Sequence, residues 1–375
     1  MNEMRICTKT VMDTSDPDIV FDKQGISNYW YDYKNAIKTA PFIYDNREEL
    51  LLKEIHKIKK EGQNNKYDCI VGVSGGVDST YVAYLAKKLG LRALLVHYDN
   101  GWNSELAVQN VENIVRKLDY DLFTLVVNWE EFRQLQLAYL RASVVDIEVP
   151  TDHAITGTIH RLAKKYNVKY LLSGSNIQTE FIMPNAWIYS KNDSFNLKDI
   201  FKKFGDGKLK TYPIFSFFDY VYYGSILKIK TFNILNYIDY NKAEVKKIIT
   251  QELGWRDYGG KHYESLFTKF YQAYILPQKF GIDKRKAHLS TLICSGQISR
   301  EEALEELKLP LYDPNELIND KEYVLKKFGL TEQEFETIMH TPPRPHANFK
   351  SDIALKRKYM KLLRNTERIR RIIKS

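Results

Sequence analysis

Residues 67–89, YDCIVGVSGGVDSTYVAYLAKKL, constrain the fold of this 375-residue chain more than any other stretch. Cys69, Ile70, Val71 and Val73 make a short apolar run, β-branched enough for a fully buried strand. SGGVDS follows at 74–79, and then Tyr81, Val82, Leu85 and Leu89 recur at helical spacing. Strand, glycine turn and helix start together build a phosphate site. Gly75 and Gly76 let the backbone approach an anion closely, and the first N–H groups of the helix, with its dipole, point at it. Ser74, Ser79 and Thr80 add hydroxyl donors. The plainer reading is a tight turn with Asp78 and Ser79 as helix caps. A Walker loop is excluded, because Gly-x-x-x-x-Gly-Lys-Ser/Thr is absent.

Downstream, strand and helix patterns alternate with short turns. Helices are expected at 46–66, 106–118, 129–140 and 153–166, and strands at 92–97, 122–127 and 169–172. This predicts an α/β fold, a parallel sheet covered by helices on both faces. Such sheets bind ligands at the carboxyl ends of their strands. Four loops should meet there: 74–79, 98–102, 146–152 and 173–180. The second brings His97 and Asp99. The last, SGSNIQTE, offers Ser173, Gly174, Ser175 and Asn176 as a second close-approach backbone, with Glu180 as its acid. His97 equally suits a satisfied histidine at a strand end, and 173–180 a polar turn. A looser region at 226–238 reads as an extra strand. Asn241 caps a helix at 241–253, with Glu244 completing a capping box.

Three stretches fit a plain core poorly. PNAWIYSKNDSFNLKDI at 184–200 reads as a loop in which Trp187, Tyr189 and Asn192 suit a sugar, or as a structural lid. GWRDYGGKHYES at 254–265 packs glycine, charge and aromatics together, and its Lys261, His262 and Glu264 are candidate substrate contacts. LPQKFGIDKRKAHLS at 276–290 sets Lys279, Lys284, Arg285 and Lys286 around a glycine. As a charge run this is a solvated face; beside a phosphate loop it suits phosphate oxygens.

The net charge of +9 does not spread into a general basic field, because residues 356–374 hold nine Lys/Arg and one acid, Glu367. That tail reads as a basic helix docked on the body; an acidic protein, a nucleotide sugar or RNA are sharper alternatives. No apolar run reaches the ~18 residues needed to span a bilayer. The N-terminus lacks a signal-peptide core, and Cys7, Cys69 and Cys294 give no disulfide framework. A cytoplasmic protein without membrane contact is the expectation. Residues 8–30 suggest a small β element, with Cys7, Thr10, Ser27 and Trp30 at the spacing of a zinc knuckle. One thiolate does not make a zinc site, so no structural zinc is expected.

VSGGVDS at 73–79 resembles the loop of the PP-loop ATP pyrophosphatases, which adenylate an oxygen and release pyrophosphate. Taken with SGSNIQTE, GWRDYGGKHYES and LPQKFGIDKRKAHLS, the chain resembles the N-acetyl sugar amidotransferases of bacterial surface-glycan synthesis, over roughly residues 4–312. Their acetamidino sugars enter O-antigen lipopolysaccharide or pseudaminic-acid-type flagellin glycans. Relatives commonly carry a Cys-x-x-Cys pair at both N-terminal places; this chain keeps only Cys7.

The resemblance implies an adenine-nucleotide α-hydrolase-like fold. Its parts would be a degenerate knuckle at 1–45, an ATP-binding domain at 46–240, a helical substrate region at 241–312, and a helical appendix with the basic tail at 313–375. It implies ATP with Mg²⁺ as cofactors, bound by 73–79, His97, Asp99 and 173–175. Glu180 would hold the Mg²⁺. Asp78, Lys279, Lys284 and Arg285 would be catalytic, and Asn176, Glu180, Trp187, Lys261, His262 and Glu264 would contact substrate. The implied reaction turns an acetamido group of a sugar or nucleotide sugar into an acetamidino group. Ammonia would come from a separate glutaminase partner, since no glutaminase cysteine is apparent. An RNA-modifying enzyme of thiolase or lysidine-synthase type is the alternative, although Cys69 and Cys294 look unsuited to reactive thiolates. A non-catalytic nucleotide-binding scaffold fits an intact loop poorly.

Overall fold

The structure is a computed structural model that describes residues 4–259 and 264–374, with side chains as far as 364. Five strands, β1 (Cys69–Gly72), β2 (Ala93–Asp99), β3 (Asp121–Val126), β4 (Tyr170–Ser173) and β5 (Lys230–Asn233), form a parallel sheet in the order β3-β2-β1-β4-β5. Val71 of the central strand sits between Leu95 and Leu172. The extra strand region at 226–238 narrows to β5, followed by a short 3₁₀ turn, Ile234–Tyr237.

Alternation of side chains sends the two halves of each central strand to opposite faces. Cys69, Val71, Ala93, Leu95 and Leu172 pack under the helices Arg47–Gly62, Val77–Lys88 and Lys242–Leu253. Ile70, Leu94, Val96 and Leu171 pack on Leu162 and Ala163 of the helix Val149–Lys165. Both faces are therefore apolar, which explains the continuous hydrophobic runs in the sequence. β3 is an edge strand, and its Val126 is 66% exposed.

A separate aromatic core joins distant parts of the chain: Met12, Phe132, Trp187, Phe270, Phe328 and Phe349 belong to one cluster. The chain from 314 to 374 is largely helical, with helices Pro314–Phe328, Glu332–His340 and Ile353–Lys374. Asn241 caps its helix by accepting from the amides of Ala243 and Glu244.

The N-terminal element holds isolated antiparallel bridges, Ile6 to Asp13 and Phe21 to Ser27. It then continues into a helix, Asn28–Ala36, which the turn-rich sequence before it concealed. Thr10 and Ser27 converge on Cys7, whose Sγ accepts the amides of Lys9 (3.4 Å) and Ser27 (3.2 Å). Burial pushes this thiol up, but the hydrogen bonds from Ser27 and Thr10 outweigh it and hold the thiol below its ordinary range. The element is fastened to the body by cations. Arg300 donates to the carbonyls of Cys7 and Thr10, and Lys286 pairs with Asp13, which is 2% exposed.

Lys286→Ala strands the Asp13 carboxylate in the interior. It should lower unfolding stability by about 3 kcal/mol, read as a lower urea midpoint with an unchanged slope.

Candidate active site

A cleft of about 450 Å³ opens at the carboxyl ends of β1 and β4. Its floor is the predicted phosphate loop. β1 ends at Gly72, Val73 continues the ladder to Val96, and the chain turns into the helix Val77–Lys88. Gly76 is the N-cap residue and no side chain caps this helix, so its first turn is presented to the cleft through Val77, Asp78 and Ser79. The loop braces itself. Ser79 Oγ accepts the Ser74 amide and donates to the Gly76 carbonyl, and Thr80 Oγ1 donates to the same carbonyl at 2.7 Å.

Gly75 lies behind the loop, with φ +81°. A Cβ there would meet the Ala107 carbonyl oxygen at 2.6 Å, so both conformation and space demand glycine. Its own carbonyl accepts Trp255 Nε1 at 2.8 Å and Asn110 Nδ2 at 3.4 Å. Asn110 also pairs with the Arg256 backbone through both amide groups, each at 2.9 Å. Trp255 and Arg256, at the start of the 254–265 stretch, are thus bolted to the back of the phosphate loop. The stretch continues along the rim: Tyr258, Gly259 and Glu264 line the cleft, and a Cβ on Gly76 would meet the Tyr258 hydroxyl at 3.2 Å.

The second loop closes the opposite wall with Ser173, Gly174, Ser175 and Glu180. Gly174 presses on the first turn of the helix, where a Cβ would lie 3.0 Å from Cβ of Asp78. Tyr240 joins the parts. Its buried hydroxyl donates to Asp78 Oδ1, its amide to Gln178 Oε1, and its carbonyl accepts Gln297. Burial, with the carboxylates of Asp78 and Glu180, drives the Tyr240 phenol far up, so it stays a proton donor.

The predicted residues therefore divide. Ser74, Gly76, Val77, Asp78, Ser79, Ser173, Gly174, Ser175, Glu180 and Glu264 come together in the cleft. Lys261 and His262 lie outside the described residues. Val73 and Gly75 support the loop from behind. His97 is a satisfied strand-end histidine, with Nδ1 on the Val73 carbonyl and Nε2 on Asn103. Asp99 accepts the Gly101 amide and Asn103. Loop 98–102 acts indirectly, since Asn103 bridges Ser265 and the Ser104 amide bonds the Glu264 carbonyl. Loop 146–152 is held elsewhere by Lys191, which pairs with Asp146 and Asp152. Asn176 is a helix cap that accepts the Thr179 amide at 2.8 Å, and Trp187 lines a different cavity.

The basic cluster at 279–286 is the main correction, because none of its residues lines the cleft. Lys279 donates to the carbonyls of Ile338 (2.5 Å), Met339 (3.1 Å) and Thr341 (2.6 Å), finishing the helix Glu332–His340. Arg285 forks onto Asp283 and donates to the Glu306 and Leu309 carbonyls at the end of the helix Arg300–Lys308. Lys284 faces Glu148 at 3.8 Å and the Tyr271 ring. The same motif supplies His288 to the cleft instead, its Nδ1 3.1 Å from the Thr179 carbonyl. Among the described residues, the lysines lining the cleft are Lys242 and Lys246, the latter paired with Asp257 at 2.6 Å. Their signal was a pair of lysines four residues apart, opening a capped helix just after the last strand.

Trp255→Phe keeps an aromatic ring but removes the donor to Gly75. It should cost about 1 kcal/mol of stability and weaken binding of a non-hydrolysable ATP analogue several-fold, measured by calorimetry. Arg285→Ala should lower the melting temperature without changing that binding constant.

Residues 68–169 match the family model of the queuosine biosynthesis protein QueC, and residues 264–364 match the C-terminal domain of the LPS biosynthesis protein WbpG-like family. No curated protein matches the chain. Among solved structures, the chain is similar to NMN synthetase from Francisella tularensis, at 15% identity over 60% of this chain and 92% of that one, with a TM-score of 0.29. It is also similar to the NH3-dependent NAD synthetase from Campylobacter jejuni subsp. jejuni NCTC 11168, at 14% identity over 76% and 97%, with a TM-score of 0.31. The QueC match falls on the phosphate loop and strands β1 to β3, and the WbpG-like match falls on the helices from the cleft's rim onward.

Proposed function

We propose that this protein is a cytoplasmic ATP-dependent amidotransferase that converts an acetamido group of a sugar or nucleotide sugar into an acetamidino group for bacterial surface-glycan synthesis. The observation that carries this reading is the bond from Trp255 to Gly75, which ties the start of the 254–265 stretch to the ATP loop. That stretch is one of those that carry the chain's resemblance to the sugar amidotransferases.

The amide oxygen is a poor leaving group. Adenylation forms a bond from that oxygen to the α-phosphorus and breaks the α,β-anhydride, releasing pyrophosphate. Ammonia then adds to the amide carbon, and the C–O bond breaks with AMP as leaving group. The protein supplies position and charge rather than a covalent nucleophile. The first turn of the helix Val77–Lys88 receives phosphate oxygens, with Lys242 and Lys246 facing it. Among the described residues, His288 supplies an imidazole in the cleft for proton transfer as ammonia adds.

Among the described residues, no three His, Cys, Asp or Glu side chains stand close enough to hold a metal alone. Mg²⁺ commonly binds through one or two carboxylates plus substrate phosphates, and Asp78 and Glu180 beside the loop suit that habit. The chemistry a Mg²⁺ ion would supply there, with the triphosphate, is neutralisation of phosphate charge. Ammonia would come from a separate glutaminase partner.

The RNA-thiolation alternative needs a low-pKa cysteine near the cleft. Burial instead pushes the Cys69 thiol far up and Cys294 to about 12, and neither lines the cleft.

The expected products are AMP and pyrophosphate, formed only when an acetamido sugar nucleotide and ammonium are both present. Release of ADP, or turnover without the sugar, would rule the reaction out. Asp78→Ala should reduce turnover by about 100-fold or more while the circular dichroism spectrum stays unchanged.

A further inference from the structure

A second cavity, of about 550 Å³, lies apart from the ATP cleft. Five stretches of chain meet there: the N-terminal element through Ser15 and Pro17, Val145, the loop 185–189, the 276–290 motif through Lys279, Phe280 and Ile282, and the segment 343–347. Its walls are largely apolar and aromatic, from Trp187, Tyr189 and Phe280, with Tyr189 held flat against His346 at 3.8 Å between ring centroids. Such a wall suits a planar ring.

Its electrostatics are one-sided. Lys279 and Arg344 both line the cavity, and no Asp or Glu does. Among the described residues neither cation makes an ion pair, whereas most partly buried cations of this chain do: Lys191, Lys269, Lys286 and Lys321 each have a carboxylate. Burial and the adjacent Arg344 lower the Lys279 ammonium to about 8, as expected for two cations sharing a poorly hydrated place without an anion. Lys279 spends its three donors on carbonyls, so it contributes field rather than hydrogen bonds. Arg344 differs. Its Nη1 reaches the Arg141 and Ala142 carbonyls, while Nε and Nη2 make no protein hydrogen bond among the described residues. That leaves one edge of a guanidinium fork, the geometry that grips phosphate.

We infer that this cavity is a nucleoside phosphate site: the ring lies against the aromatic wall and the phosphate takes the open edge of Arg344 in the field of Lys279. It is near enough to the ATP cleft for one elongated molecule to occupy both. Glu180 lines the cleft and Asn185 lines the cavity, so the two walls are no more than about 18 Å apart along the chain. The 276–290 motif also serves both, with His288 in one and Lys279 and Phe280 in the other. This rests on the proposed reaction only in naming the occupant's purpose: the cavity would hold the nucleotide carrier while the acetamido sugar reaches the ATP cleft.

The test is calorimetric titration of UDP and, separately, CMP into the full chain saturated with a non-hydrolysable ATP analogue. The expected result is binding of one of them despite the analogue, weakened at least tenfold by Arg344→Gln and less by Arg344→Lys, with analogue affinity the same in all three proteins. That last measurement establishes that the variants are folded. The site is overturned if neither nucleotide binds the wild-type chain, if the analogue displaces the bound nucleotide, or if Arg344→Gln binds as wild type does. Nucleotide binding without any AMP formation would instead leave the site standing and remove the reaction; AMP formation without nucleotide binding would do the reverse.

Discussion

The backbone of Gly75 is the constraint on which the nucleotide cleft depends. Its left-handed conformation sets the phosphate loop against the Ala107 backbone with no room for a side chain. Its carbonyl points away from the cleft and would be a buried, unsatisfied acceptor without Trp255 and Asn110. Satisfying that one group explains why a tryptophan follows Gly254, and why Asn110 also holds the Arg256 backbone. The rim residues Tyr258 and Glu264 then arrive at the cleft because the chain leaves Trp255 in that direction. A glycine conformation, a carbonyl and an indole thus settle where this part of the rim begins.

Tyr240 has the same integrating role on the opposite wall. It touches the helix start at Asp78, the second loop at Gln178 and the 297 region, and Lys242 follows two residues later. Neither the phosphate loop nor the second loop is positioned by local sequence alone; each is completed by a side chain from a later segment.

This explains what was legible in the sequence. Strand and helix periods are local, so the parallel sheet and the loop between β1 and the helix Val77–Lys88 could be read directly, as could the second loop after β4. The use of each cation is not local. Lys279, Arg285 and Lys286 form a conspicuous cluster, yet two of them terminate helices and the third neutralises Asp13, far away in sequence. The described lysines that do line the cleft, Lys242 and Lys246, belong to an ordinary-looking amphipathic helix. A lysine's role depends on which backbone carbonyls or carboxylates the tertiary fold brings to it, and composition carries no trace of that. His97 shows the same limit: the strand end was correctly located, but both of its ring nitrogens are taken up by neighbouring groups.

The link from Trp255 to Gly75 spans 180 residues. A chain made from its N-terminus outward exposes the phosphate loop long before the indole that completes it exists. The first four strands can pair while the chain is still growing, because all of them precede residue 174. The loop between them stays without its rear support until the tryptophan has been made. Competence to hold a triphosphate is therefore a late acquisition in the life of each molecule, gained only once most of the polypeptide has left the ribosome.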